Sequence, residues 1–181
     1  GAIRCHVFDA KVEFADCYIL PSLQAGALYE RQYPLATALA RPLIAKRLVE
    51  AAEMEGATAI AHGCTGKGND QVRIDVSVRA LNRGIEVIGP ARERAMSRPA
   101  QIEYATERGI PVPATVENPY STDLNLWGKS IECGVLEDPW TEPPEDIFTL
   151  TQSVARSPDT PAYVELDFEC GVPTAVNGVS M

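Results

Sequence analysis

The sequence predicts an α/β fold in which helices pack on a mostly parallel sheet. Three observations predict it: helix-spaced apolar positions alternate with short apolar runs, those runs close at glycine turns, and the longest helical pattern stops at a glycine. The chain has 181 residues, 45% hydrophobic and 23% charged, enough to bury a core without disulfides or a structural metal. That length fits one domain and part of a second.

Ile3 to Phe8 reads as a strand, with Asp9 able to cap the next helix. Lys11 to Tyr29 carries Val12, Phe14, Tyr18, Leu23 and Leu28 at helix-compatible positions, interrupted by Pro21. Thr37 to Glu55 is the clearest helix, with Leu39, Leu43, Leu48 and Ala52 on one side and Gly56 as its stop. Thr58 to Ala61 is a buried strand ending at His62-Gly63, and Glu86 to Ile88 is another, closed by Gly89-Pro90. Ser97 caps a helix that has Pro99 in its first turn and ends at Gly109.

Gln71 to Leu81 is ambiguous. Val72, Ile74, Val76 and Val78 alternate strictly, which by period alone says strand. Asn69 and Asp70 are good helix starters and the chain has just left a strand, so a strand–glycine loop–helix unit is the reading adopted, partly on the resemblance given below. From Pro111 the texture changes to proline-punctuated chain with little periodicity. Ala162 to Glu169 alternates, Gly171 turns, and Val172 to Val176 returns as a hairpin. The boundary falls near Val112, giving regions 1–112 and 113–181, the second entered but not completed.

Lys plus Arg number 16 against 25 Asp plus Glu, a net charge of −9 with pI near 4.7. Such a chain repels a phosphate backbone, so no nucleic-acid partner is expected. No run approaches the roughly 20 apolar residues of a membrane span, so no membrane partner is expected either. Cys5, Cys17, Cys64, Cys133 and Cys170 are scattered without a CxxC pair, and His6 and His62 are the only histidines. A zinc site therefore lacks ligands at usable spacing, no metal site is expected, and the compartment reads as reducing cytosol. Gly1 leading straight into Ile3 reads as a piece of a longer protein.

The chemistry concentrates in Gly63-Cys64-Thr65-Gly66-Lys67-Gly68-Asn69-Asp70-Gln71-Val72-Arg73. Its glycines permit positive φ and close approach of backbone N–H groups to an anion, at the positive end of a following helix. It is not a Walker loop, because Gly68 follows Lys67 and Ala61 stands at the first glycine position. An ordinary strand–helix turn accounts for the composition equally well. On a helix Asn69 and Arg73 share a face with Asp70 beside them, and Asp70–Arg73 also reads as a surface ion pair of small value.

The run from Ala61 to Arg73 closely resembles the signature of the argininosuccinate synthase family. So do Ala27-Leu28-Tyr29-Glu30, Tyr33-Pro34-Leu35-Ala36-Thr37 and Leu39-Ala40-Arg41-Pro42-Leu43-Ile44-Ala45. Gly109-Ile110-Pro111-Val112-Pro113, Asn118-Pro119-Tyr120-Ser121, Asn125-Leu126-Trp127-Gly128 and Gly134-Val135-Leu136-Glu137-Asp138-Pro139 come next in the family's order. The resemblance covers nearly the whole chain. It implies a partial parallel-sheet nucleotide-binding domain of the adenine nucleotide α-hydrolase type, then the start of an α+β synthetase domain.

The resemblance also implies a ligase that joins L-citrulline to L-aspartate while ATP, bound with Mg2+ as substrate, is cleaved to AMP and pyrophosphate. No prosthetic group or side-chain nucleophile is implied. Gly63 would approach ATP through its backbone. Thr65, Asn69 and Asp70 would bind aspartate, with Asp70 pairing its ammonium. Asn69 and Arg73 would reach citrulline, Arg73 forking onto its carboxylate, so that Asp70 and Arg73 act by positioning and charge. Tyr33, Thr37, Ser121 and Ser130 would complete the citrulline pocket. Without the resemblance the two serines are loop hydroxyls and Tyr33 a packed aromatic before Pro34.

The family's pyrophosphate-gripping loop, S-G-G-x-D-T-S, would lie upstream of Gly1. The rest of the synthetase domain, with an acidic and an aromatic citrulline contact, would lie downstream of Met181. Ala38 stands where some members have a hydroxyl that touches citrulline, and Ala91 follows Pro90 where the family usually has Trp-Arg. The parent is expected to be a cytoplasmic homotetramer serving arginine biosynthesis or, in the urea cycle, nitrogen disposal. The chain alone is expected to fold in part, bind ATP weakly and turn nothing over. Two other readings stand beside the ligase: another ATP pyrophosphatase of the same fold, and a non-catalytic piece that only binds or assembles.

Overall fold

The computed structural model describes residues 2–66, 68–95, 97–111 and 120–181. Lys67 of the glycine loop, the boundary at Val112, and the motif residues Val112-Pro113 and Asn118-Pro119 lie outside the described residues.

The first helical stretch runs from α1 (Lys11–Phe14) through a π turn (Ala15–Ile19) into α2 (Leu20–Gln24). Pro21 does not interrupt it. The proline sits in the first turn of α2, and the wider π turn before it lets the Leu20 N–H reach back to the Ala15 carbonyl. The helix ends at Gln24 rather than Tyr29, where Gly26 turns left-handed at φ 59°. Next comes α3 (Ala36–Glu55), which stops at Gly56 in the left-handed conformation.

A βαβ unit comes after it: β1 (Ala59–Ala61), α4 (Asp70–Leu81) and β2 (Glu86–Ile88). The strands pair in parallel, Ala59 opposite Glu86 and Ala61 opposite Ile88. The alternating segment is thus a helix. Ile74 and Val78 are 5% and 0% exposed, whereas Val72 and Val76 are 55% and 60% exposed, a split that a strand face would not give. After β2 come α5 (Pro90–Glu93) and α6 (Arg98–Glu107), the latter capped by the Ser97 hydroxyl accepting the Ala100 N–H.

One core lies between α3, α4 and the parallel pair, built from Ala45, Val49, Ala52, Ile60, Ile74, Val78 and Ile85. A second joins Phe14, Ile19 and Leu43 to the partly buried Leu39 and Trp127. Trp127 belongs to an unanticipated antiparallel hairpin, β3 (Ser121–Asn125) and β4 (Gly128–Glu132). Its turn docks on the start of α3: the Trp127 Nε1–H donates to the Pro34 carbonyl at 2.7 Å and Asn125 Nδ2 donates to the Ala36 carbonyl at 2.8 Å.

Ile3 to Phe8 forms no strand. Among the described residues β1 and β2 pair with each other only, so no ladder reaches this segment, and Ile3 and Val7 lie exposed. At the other end β5 (Leu166–Glu169), β6 (Val172–Val176) and β7 (Val179–Ser180) form an antiparallel sheet. The strand expected from Ala162 starts only at Leu166. Cys170-Gly171 and Asn177-Gly178 take positive φ at both positions, as tight hairpin turns require. Among the described residues no helix is long and apolar enough to cross a membrane.

The split on α4 has a direct test in urea unfolding. Val78→Ala should cost about 2 kcal/mol, the transfer of two methyl groups plus a small cavity, while Val76→Ala should stay within about 0.5 kcal/mol. Equal losses would mean that the two valines share a buried face.

Candidate functional site

On α3 the buried stripe Ala45–Val49–Ala52 continues one turn toward the N-terminus at Arg41, whose side chain is 18% exposed. A guanidinium there needs anionic partners. Its Nε and Nη2 contact Asp70 Oδ2 at 2.8 and 2.7 Å, and Nη2 reaches Asp123 Oδ1 on β3 at 3.3 Å. Asp70, the first residue of α4, also accepts from Arg73 Nη1 at 2.9 Å. Burial alone would raise the Asp70 carboxyl, but Arg41 first and Arg73 second outweigh it and hold the group below the usual carboxylate range. Burial works against the Arg41 charge too, and Asp70 and Asp123 more than compensate.

The hairpin brings hydroxyls to the same helix. Ser130 on β4 lies opposite Asp123 on β3, so Ser121, Asp123 and Ser130 share one face. Ser130 Oγ sits 3.0 Å from Tyr33 Oη and 3.4 Å from Thr37 Oγ1. Thr37 is one helical turn before Arg41. Tyr33, Thr37 and Ser130 therefore form one polar group, and Arg41 links its neighbour Asp123 to the Asp70–Arg73 pair. Ser121 stands at the start of the hairpin, half-buried, its Oγ 3.7 Å from Cys133 Sγ.

Gly63, Thr65 and Asn69 lie exposed along the loop between β1 and α4. Asn69 precedes α4 without capping it through its side chain. The expected positive φ is not found at Gly63 or Gly66. A Cβ at Gly63 would meet nothing within 4 Å, so the turn itself does not demand glycine there. Gly63 borders a cavity of about 440 Å³ outside the carboxyl ends of β1 and β2, lined also by His62, Ala91 and Tyr104. Ligands of open α/β sheets bind at such strand ends.

Four residues were not singled out as site residues from the sequence: Arg41, His62, Asp75 and Arg92. His62 Nδ1 accepts the Cys64 N–H at 3.2 Å, its Nε2 lies 2.9 Å from Asp75 Oδ1, and Arg92 Nη1 lies 2.7 Å from Asp75 Oδ2. Burial raises Asp75, yet Arg92 and His62 together hold it below the ordinary range. Arg41 was detectable as a charge on a buried helical stripe. Asp75 had only its four-residue spacing from Gln71 to mark it. Burial, then the nearby Asp70 carboxylate, push the Cys64 thiol up, which disfavours its thiolate. Among the described residues no group of three or more His, Cys, Asp or Glu gathers as metal ligands would.

Residues 1–111 match the family model for the arginosuccinate synthase N-terminal HUP domain, and residues 120–181 match that for the arginosuccinate synthase C-terminal domain. The chain belongs to the argininosuccinate synthase family. It is 60% identical over 178 residues to argininosuccinate synthase of Shouchella clausii, covering 98% of this chain and 44% of that protein. Against the Bacillus subtilis protein of the same name the identity is 58% over 180 residues, covering 99% of this chain and 45% of the relative. The chain thus spans less than half the length of these relatives. The first match also carries the fold expected from the resemblance, an α/β domain of the adenine nucleotide α-hydrolase type.

The Asp70 pairing predicts a pH dependence. Its folded-state pKa is depressed, so its stabilisation is present above the unfolded value of about 3.9 and is lost as pH falls through the lower folded value. The urea midpoint of Asp70→Asn should fall below the native one at neutral pH, and the gap should close on acidification below the usual carboxylate range. A gap that stays constant with pH would contradict the pairing.

Proposed function

We propose that a full-length protein carrying this chain is an ATP-dependent ligase condensing L-citrulline with L-aspartate to argininosuccinate, with release of AMP and pyrophosphate. The observation that carries this reading is the meeting of Tyr33, Thr37 and Ser130, three residues that the family resemblance assigns to citrulline, through hydroxyl contacts of 3.0 and 3.4 Å between elements far apart in sequence. The names of the relatives support the same activity.

In the proposed reaction the citrulline ureido oxygen attacks the α-phosphorus of magnesium-bound ATP and pyrophosphate leaves. The aspartate amine then attacks the activated ureido carbon, AMP departs with its bonding pair, and the amine loses its proton. The chain's part is to position reactants and balance charge. Among the described residues Asp70 uses Oδ2 for two Arg41 contacts and Oδ1 for one from Arg73, so of about four acceptor positions they leave one on Oδ1 open for an ammonium. Thr65 and Asn69, exposed beside it, offer neutral hydrogen bonds to aspartate. Arg73 presents its remaining guanidinium edge to the citrulline carboxylate. Asn69 also serves citrulline, and Ser121 extends its pocket along the hairpin face. Gly63, with open space where a side chain would stand, lets ATP approach the backbone.

We further assign regions 1–112 and 113–181 to the nucleotide-binding and synthetase domains, and place the full-length protein in the cytoplasm as a homotetramer serving arginine biosynthesis. The reading is tested in a full-length hybrid in which this chain replaces the matching 180 residues of the Bacillus subtilis relative. Pyrophosphate release should require citrulline, and release indifferent to citrulline would overturn the assignment. Arg73→Lys should raise the KM for citrulline by about tenfold or more, the worth of a charged bidentate contact, and leave that for ATP nearly unchanged. Equal losses for both substrates would count against Arg73 as the carboxylate fork.

A further inference from the structure

We propose that Asp75 is a positioning residue for the glycine loop, acting through His62 and held in place by Arg92. The proposal rests on the reading of that loop as the aspartate-binding edge of the site.

The His62 side chain is 5% exposed, so both ring nitrogens need partners inside the protein. Nδ1 accepts the Cys64 N–H. The proton of the neutral ring therefore sits on Nε2 and is donated to Asp75 Oδ1 at 2.9 Å. Asp75 Oδ2 takes the Arg92 Nη1–H at 2.7 Å. Arg92 Nη1 also donates to Gln71 Oε1 at 3.2 Å, and Gln71 Nε2 donates to the Gly66 carbonyl at 2.9 Å.

One bonded path thus starts at the Cys64 N–H, passes through His62, Asp75, Arg92 and Gln71, and ends at the Gly66 carbonyl. The residue between those ends is Thr65. Packing confines the path as well, since a Cβ at Gly89 would stand 3.1 Å from Arg92 Nη2 and one at Gly66 would stand 3.6 Å from Arg92 Cγ. The arrangement fixes the backbone on both sides of Thr65 and leaves the Thr65 side chain facing solvent. Asp75 can do this because it offers two oxygens to two donors.

Asp75→Asn leaves a single side-chain oxygen for those donors. The charged Arg92 takes it, and the introduced amide N–H2 is left facing His62 Nε2. The ring must then carry its proton on Nδ1, where it opposes the Cys64 N–H. A further Arg92→Gln change lets the new glutamine turn its oxygen to that amide, which frees the amide's own oxygen to accept from His62 again. A purely structural ion pair predicts the opposite, because a second deletion would only weaken the site further.

Hydrogen exchange of the Cys64 amide in this chain reads the difference. Asp75→Asn should speed it by about tenfold, the loss of one hydrogen bond, and Asp75→Asn/Arg92→Gln should bring it back toward the native rate. In the full-length hybrid the KM for aspartate should rise in the single variant and recover in the double. A native Cys64 amide without protection, a single variant with native exchange, a double variant no slower than the single, or an aspartate KM unmoved by Asp75→Asn would each overturn the proposal. Failure of the ligase reading shows elsewhere, as an unmutated hybrid with no citrulline-dependent pyrophosphate release, and leaves the exchange result intact.

Discussion

A guanidinium on the core stripe of the longest helix is the constraint around which the site is organised. Arg41 cannot sit there unpaired, because an isolated charge at low exposure costs several kcal/mol. Its partners come from two other elements, Asp70 at the start of α4 and Asp123 on β3. Pairing therefore decides where the glycine loop must end and where the hairpin must lie. With the hairpin in that place, Ser130 lies 3.0 Å from the Tyr33 hydroxyl and 3.4 Å from that of Thr37. Trp127 and Asn125 reinforce the same docking from the turn by bonding the carbonyls at the start of α3.

What was legible in the sequence was local. Caps, stops and turns rest on a few neighbouring residues, which is why Gly56, Ser97 and Gly109 marked their helix ends correctly. The alternating valines of α4 show the limit of periodicity: two of the four apolar positions are exposed, and the pattern matched a strand only because exposed positions also held valine. Ile3 to Phe8 had the right composition for a strand but no neighbour among the described residues to pair with. The β3–β4 hairpin was missed because its strands are polar and its position depends on contacts with α3. β7 was missed as well, although Asn177-Gly178, in positive φ at both positions, is a turn signal for it.

The site divides the same way. Asp70–Arg73 lies within one helical turn and was readable as a pair. Arg41–Asp123 spans two elements distant in sequence and was not. The His62–Asp75 contact needs the β1–α4 connection to exist before the two residues can meet. Tyr33, Thr37 and Ser130 were named only through the family resemblance, since nothing in their neighbours distinguishes them from packed or solvated hydroxyls.

These groups suit chemistry that needs placement rather than a protein nucleophile. The site offers hydroxyls, carboxylates with open acceptor positions and guanidinium edges, while burial and the nearby Asp70 push the Cys64 thiol up. The most direct test of the proposed reaction tracks an atom. Citrulline carrying heavy oxygen in its ureido group is turned over by the full-length hybrid, and the AMP product is weighed by mass spectrometry. The account predicts that the heavy oxygen appears in AMP, because the ureido oxygen is the atom that attacks the α-phosphorus. AMP formed in step with product but free of the label would contradict it.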